Sequence, residues 1–319
     1  MSEDEIVARI EALLSQARRG EAQRRVLLGI GDDAALWQPS RSHRSVISTD
    51  MLVEGVHFTR EAMSLQDAGW RAMVANLSDL AAMGARPVLA TVALGVAHED
   101  AAGDVLELYG GIAQAADRYE IAIAGGDLTR SEAMTISIAV VGEVRPSNVK
   151  TRSGGRPNDV LAVTGELGAA RAGLEGAPDA QEAFRRPQPR LAEGRFLAAS
   201  ANVTAMMDCS DGLSTDVYRL CAASGCGAAI ENVPVAATAR ALAKTRGEDA
   251  ERFALAGGED FELLAAIRPR AFGYLAGRFA KRFGRPLLRV GVLEKEEGVR
   301  WRDRPLERSG WEHFEEQGR

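Results

Sequence analysis

Cysteine is scarce in these 319 residues: Cys209, Cys221 and Cys226 are the only three, and none forms a CxxC pair. Neither a disulfide framework nor a zinc cage is suggested. No run of about 18 apolar residues occurs, which excludes a membrane-spanning helix. GxxxxGKS and GxxxxGKT are absent, as are HExxH and GxSxG, so P-loop nucleotide binding, zinc proteolysis and serine hydrolysis lose their usual signatures. Positive charge is also short. The formal net charge is -6, so the chain as a whole repels nucleic acid and anionic membrane, and a bound anion needs local help.

What is present is ordinary for a globular chain: 46% hydrophobic and 26% charged residues, over a length sufficient for two cores. The N-terminus carries Ile6, Ile10, Leu13 and Leu14 at helical spacing behind an acidic start, so a surface helix is expected rather than a signal peptide, and the cytoplasm is the expected location. Short strands are expected over Ser45 to Asp50, 87–96, EIAIAGGD and MTISIAVVGEV, with helices over Leu65 to Met83 and from about Glu99 to Tyr119. RPSNVKTRSGGRPND, rich in Pro, Gly, Ser and Asn, marks a domain boundary. The expected domains are 1–148, an N-terminal α+β domain, and 149–319, a second domain in which strands and helices alternate. In the second, strands at DVLAVTGELG, TAMMDCSDG, GAAIEN, DFELLAAI and LLRVGVLE alternate with helices, among them Leu213 to Ser224 and about Arg270 to Phe283.

The placement of aspartate carries the chemistry. In GIGDDAALW no Lys or Arg stands within four residues of Asp32 or Asp33. Asp50 and Asp127 end strands, and Asp208 and Asp211 stand where a strand turns through Gly212 into a helix. Each could be a turn former or helix cap. Asp79 fits that reading poorly, since NLSDLAAMG sets it in mid-helix among apolar residues, where an unpaired charge is costly. If several of these carboxylates converge, each pair about 4 Å apart repels by roughly 4 kcal/mol. Lys and Arg are absent from GIGDDAAL, STDMLVEG, NLSDLAAMG and MDCSDGLSTD. Hard oxygen ligands without histidine or thiol favour Mg²⁺ held together with phosphate. Gly29, Gly31 and Ala34 do match the dinucleotide fingerprint GxGxxA, but two carboxylates occupy the pyrophosphate position and Pro39 prevents the long helix the fingerprint requires.

In order along the chain, GIGDDAAL, STDMLVEGVHF, NLSDLAAMGARP, AGGDLTRS, TRSGGRPND, MDCSDGLSTD, GGEDFELL and GWEHF resemble the thiamine-monophosphate kinases, a family similar in fold to aminoimidazole ribonucleotide synthetase. The resemblance implies an α+β fold of two domains. The N-terminal α+β domain contributes strands to a β-barrel spanning a homodimer, and the C-terminal domain is α/β. It implies that Asp33, Ser48, Thr49, Asp50, Asp79, Asp127, Asp208 and Asp211 hold several Mg²⁺ ions. Tyr109, Gly126, Asp127, Arg152 and Ser210 would contact ATP, and His57, Glu259 and Trp311 the thiamine monophosphate. Turnover would depend above all on Asp50, Asp127 and Asp211.

The implied reaction moves the γ-phosphoryl group of ATP to the phosphate of thiamine monophosphate, giving thiamine diphosphate and ADP. Its nucleophile is already an anionic oxygen, so alignment and charge neutralisation replace a strong base. One alternative is another ATP-dependent enzyme of the same superfamily using the same acidic loops, from which GVHF with GWEHF distinguishes the kinase. Another is a silent nucleotide-binding dimer, in which at least one metal aspartate should be replaced. None is.

Overall fold

The computed structural model describes residues 3–15, 20–30, 34–96 and 101–310. Backbone contacts divide the chain into two compact units, 1–80 with 85–146, and 81–84 with 147–319.

In the first unit the order is α1 (Glu3–Ser15), α2 (Glu21–Arg25), β1 (Val26–Leu28), β2 (Leu36–Trp37), β3 (Arg44–Val53), α3 (Leu65–Ala82), β4 (Arg86–Val96), α4 (Ala101–Arg118), β5 (Ala122–Arg130) and β6 (Thr135–Val144). The four long strands form one sheet in the order β3-β6-β4-β5, antiparallel except for the parallel pair β4 and β5. Strand β6 alternates strictly: Ile136, Ile138 and Val140 are fully buried while Ser137, Ala139 and Val141 are half-buried. That period of two marks a sheet with one fully covered face. Helix α3 lies on the covered face, where the Leu80 side chain approaches Gly142.

A pair of glycines fixes how α3 meets α4. A Cβ at Gly69 would stand 2.1 Å from the Leu108 carbonyl oxygen, and one at Gly111 only 1.8 Å from that of Gln66. The two backbones touch because neither position carries a side chain. On the opposite sheet face, α2 and the β1–β2 pair cover one end, packing Ala22, Val26 and Trp37 against Leu89, Ala122 and Val141. Beyond that cover the face is bare among the described residues: Ile47 is 73% and Met51 53% exposed, and Ala93 is exposed as well.

The second unit contains β7 (Val160–Val163), α5 (Ala169–Leu174), α6 (Gln181–Arg185), α7 (Leu191–Ala198), β8 (Val203–Cys209), α8 (Leu213–Ser224), β9 (Gly227–Ile230), α9 (Ala237–Arg246), α10 (Ala250–Ala256), β10 (Glu262–Ile267), α11 (Pro269–Phe283), β11 (Leu288–Glu294), β12 (Val299–Trp301) and β13 (Arg304–Pro305). Its seven-stranded sheet runs β13-β12-β9-β11-β7-β10-β8, with β12 and β9 parallel and the other pairs antiparallel. Strands β7, β9 and β10 are buried along their whole length, so they read as apolar runs rather than alternations. The core joins Leu161, Val163 and Leu264 of the sheet to Leu213, Val217 and Leu220 of α8. Among the described residues no helix is long and apolar enough to cross a membrane.

Candidate functional site

In the first unit the pleat of β3 sends Ser48 and Asp50 toward α3 and Thr49 to the other side. The Ser48 hydroxyl donates to Asp79 Oδ2. The Asp50 amide donates to Asn76 Oδ1 at 3.1 Å, and Asn76 Nδ2 is itself anchored on the Ala72 carbonyl at 3.0 Å. Asn76 and Asp79 are one helical turn apart, which places both over the strand. Thr49 Oγ1 donates to the Ile138 carbonyl at 3.1 Å. The mid-helix position of Asp79, awkward for a solvated charge, is thus explained by a hydroxyl partner on β3.

Asp127 is not brought to this group. It lies exposed on β5, and its row across the sheet runs through Ala93 and Ser137 to Met51. β3 and β5 are the two edges of the sheet, so three strand spacings, about 14 Å, separate Asp127 from the Asp50 strand. Gly126 beside it is exposed, and a Cβ there would stand 2.1 Å from the Val92 carbonyl oxygen. The Tyr109 side chain is buried, at 4% exposure, and burial pushes its phenol up to about 12. It therefore offers little ring surface to a purine in this chain. His57 folds back onto the end of β3, where Nδ1 accepts from the Val53 amide at 3.1 Å. In the neutral ring this leaves the proton on Nε2.

In the second unit two loops lie against each other. Strand β8 ends in Asp208, only 3% exposed, and Cys209, whose thiol burial holds far above its usual range. Ser210, Asp211 and Gly212 lead into α8. The Glu259 amide donates to the Ser210 carbonyl at 2.7 Å and the Phe261 amide to that of Cys209 at 3.0 Å. Glu259 and Phe261 sit at φ of 66° and 50°, a left-handed backbone that side-chain-bearing residues adopt only when their surroundings hold it. Asp260 is one anchor: its oxygens accept the Gly168 and Ala170 amides at 2.6 and 3.0 Å, while burial raises its carboxyl to about 7. Asp208, Ser210, Asp211 and Glu259 are thereby gathered at one end of β8.

Arg219, outside every motif, and Asp216, the last residue of MDCSDGLSTD, to which the resemblance gives no role, complete this end. Arg219 donates to Asp211 Oδ2 and, at 3.1 Å, to Asp216 Oδ1. Asp216 is fully buried, and its other oxygen has no hydrogen-bond partner. Burial, then the Asp208 and Asp211 charges, raise its carboxyl to about 8. Asp211, Asp216 and Arg219 are spaced on and just before α8 so that one helical turn joins the last two. That spacing was available in the sequence, although the cation lies outside the acidic segment.

Arg152 is held elsewhere. Its carbonyl accepts from Ser224 Oγ at the last turn of α8, about 16 Å of helix from Leu213. Its side chain is exposed and has no carboxylate partner among the described residues. Asp33 and Trp311 lie outside the described residues. Gly310 packs against the Asp211 carbonyl, leaving no room for a Cβ, and its amide donates to Thr215 Oγ1 at 3.2 Å.

The donors are carboxylates, hydroxyls and carbonyls throughout, the set that suits a hard divalent cation. The orphaned oxygen of Asp216 and the charge-strained acids around it fit such an ion. Among the described residues, however, no three His, Cys, Asp or Glu side chains stand together closely enough to hold a metal by themselves.

Residues 31–144 match the AIR synthase related protein N-terminal domain and residues 156–268 the AIR synthase related protein C-terminal domain. The chain is 38% identical over 284 residues to a thiamine-monophosphate kinase of Rhodopirellula baltica, covering 86% of this chain and 85% of that one. It is similar to the crystal structure of thiamine-monophosphate kinase from Stenotrophomonas maltophilia, with a TM-score of 0.83 and 32% identity over 96% of this chain and 98% of the other. It is also similar to AaThiL complexed with AMPPCP and TMP, with a TM-score of 0.77 and 28% identity over 98% and 97% of the two chains.

Proposed function

This chain belongs to the thiamine-monophosphate kinases of the AIR synthase related family, and from that premise we propose how its residues divide the work of ATP-dependent phosphoryl transfer to thiamine monophosphate. An oxygen of the substrate phosphate attacks the γ-phosphorus of ATP. A new P–O bond forms, the bond to the β–γ bridging oxygen breaks, and the electron pair leaves with ADP. No proton need be removed from the attacking oxygen. The observation that supports this reading is the pairing of the Ser210–Asp211 loop with the Glu259 loop, which gathers Asp208, Ser210, Asp211 and Glu259 at one end of β8.

Mg²⁺, when bound, neutralises charge on the phosphates as they approach. Ser48, Thr49, Asp50 and Asp79 would hold it on the first unit, Asp208 and Asp211 on the second, with Asp33 and Asp127 as further ligands. Arg152 has a free guanidinium for phosphate, and Gly126 and Ser210 would lie along the nucleotide, with Tyr109 behind it. Glu259 suits the cationic ring of the substrate, Trp311 its aromatic face, and the Nε2 proton of His57 its phosphate.

The finer architecture we infer is a dimer. The bare sheet face with Ile47 and Met51, and two unpaired edges, are what a second copy would cover and continue. Closure of β3 against the partner's β5 would make an eight-stranded barrel and bring Asp50 toward the partner's Asp127. It would supply acids that one chain keeps apart.

The test is to incubate the protein with ATP and Mg²⁺ and quantify ADP against thiamine diphosphate. Equal formation of the two supports the assignment. Turnover with aminoimidazole precursors alone, or undiminished turnover in excess chelator, overturns it.

A further inference from the structure

Helices α7 and α11 of the second unit enclose a groove of about 450 Å³, lined by Arg195, Phe196, Ser200, Tyr274, Arg278 and Arg282 among others. Its size is that of a small-molecule site. α11 is stopped by Gly284 at φ 67° and buries Leu275 and Phe279, which turns the Tyr274, Arg278 and Arg282 side of the helix outward.

The groove is lined by three arginines and by no acidic residue. Arg171, Arg190, Arg219, Arg246, Arg285, Arg289, Arg300 and Arg302 of the same unit each contact a carboxylate. Arg195, Arg278 and Arg282 have no carboxylate partner among the described residues. Arg278 and Arg282 stand 5.9 and 5.8 Å from the centre of the Phe196 ring, one turn apart on the same helix. Like charges at that spacing repel. The rings compensate only in part, since an exposed cation–π contact contributes about 0.5–1 kcal/mol. Phe196 is itself fixed edge-on against Phe279 and Phe283, with centroids 6.0 and 5.6 Å away. Tyr274, 71% exposed, sets its ring 5.8 Å from the Arg278 guanidinium. Three arginines without a carboxylate partner among the described residues thus line one groove beside the exposed Tyr274 ring.

This groove is not the acidic site. Ser200 and Asn202 precede the first residue of β8, whereas Asp208 stands near its last, about 20 Å along the strand. We propose that the groove binds a small diphosphate or phosphate ester carrying a planar ring, independently of Mg²⁺. The arginines would take the phosphate bidentately and Tyr274 would stack on the ring. Concavity favours a small molecule over a flat macromolecular partner.

The whole protein is titrated calorimetrically in EDTA, where the acidic loops are stripped of metal and repel anions, using ADP, AMP and inorganic pyrophosphate as probes. ADP should bind with submillimolar affinity, and pyrophosphate at least threefold more weakly because it lacks the ring. The double variant R278Q/R282Q should lose at least tenfold for both. Tyr274→Ala should weaken ADP alone, to the level of pyrophosphate. Thermal melting of each variant checks that the fold is kept, as these side chains lie on the surface. Absence of ADP binding in EDTA, or ADP binding unchanged by R278Q/R282Q, would overturn the site. Pyrophosphate binding as tightly as ADP, or ADP binding unaffected by Tyr274→Ala, would overturn the ring-bearing ligand.

Discussion

At the scale of single residues, the decisive group is a cation that no acidic motif contains. Arg219 bridges Asp211 and Asp216, so the second unit carries its own counter-ion where Mg²⁺ would compete for Asp211. Replacing it by Gln removes that competitor and leaves the Asp208 and Asp211 charges uncompensated. The expected result is a lower melting temperature for metal-free Arg219→Gln and a several-fold lower Mg²⁺ concentration for half-maximal thermal stabilisation. Arg219→Lys, which keeps the charge, should stay near wild type. An unchanged Mg²⁺ midpoint in the Gln variant would show that Arg219 plays no part in metal affinity. The acids themselves were legible from their unsuitability for the places they occupy. Arg219 was not, because its role appears only once α8 brings a residue eight positions downstream back to Asp211.

At the scale of elements, helix bounds could be read where glycine flanks them: α8 occupies Leu213–Ser224 as expected, between Gly212 and Gly225. The short helices α5 and α6 escaped because six and five residues give too little periodicity. Strand β3 proved longer than Ser45–Asp50 since its ends pair with β6 through Arg44 and Val53. Helix contact is testable by two substitutions of opposite sign on α4. Gly111→Ala drives a methyl into the Gln66 carbonyl and should cost about 1–3 kcal/mol in denaturant unfolding. Gly103→Ala meets nothing within 4 Å and should stabilise by about 0.5–1 kcal/mol. Equal effects would mean the helices do not touch as described. The Glu259 loop gives a pH dependence. Burial raises the Asp260 carboxyl to about 7 from the 3.8 usual for aspartate, so between those values the folded state holds a proton the unfolded state has released. Stability contributed by this group is therefore full below about pH 4 and declines as pH rises toward 7. Asp216, raised to about 8, acts in the same direction. Metal-free protein should melt at a falling temperature from pH 5 to pH 8, and Asp260→Asn should make that decline shallower, by up to about 1.4 kcal/mol per pH unit. An identical slope in the variant would remove Asp260 as its source.

At the scale of the whole molecule, strand order decides what the sequence could not. Asp50 and Asp127 lie inside legible strands rather than at their ends as expected, since β3 runs on to Val53 and β5 to Arg130, and nothing local reveals that β3 and β5 are opposite edges of one sheet. About 14 Å of sheet between them is too far for one ion with ligand bonds near 2 Å. If a dimer closes the gap, the site is shared between chains, and mixing inactive variants distinguishes the cases. Asp50→Ala and Asp127→Ala should each abolish turnover as homodimers. Co-refolded at equal concentration they form about half heterodimers by random pairing. In a shared arrangement each heterodimer has one site with both substitutions and one with neither, so the mixture should recover about a quarter of wild-type activity. If each chain supplied both aspartates to its own site, every site would carry one lesion and the mixture would stay inactive. The purified heterodimer, isolated through two different affinity tags, should then show about half the wild-type rate with unchanged KM for ATP. Restoration to neither level, with heterodimer present, would place Asp50 and Asp127 in one chain's site and remove the shared barrel as the reason for their separation.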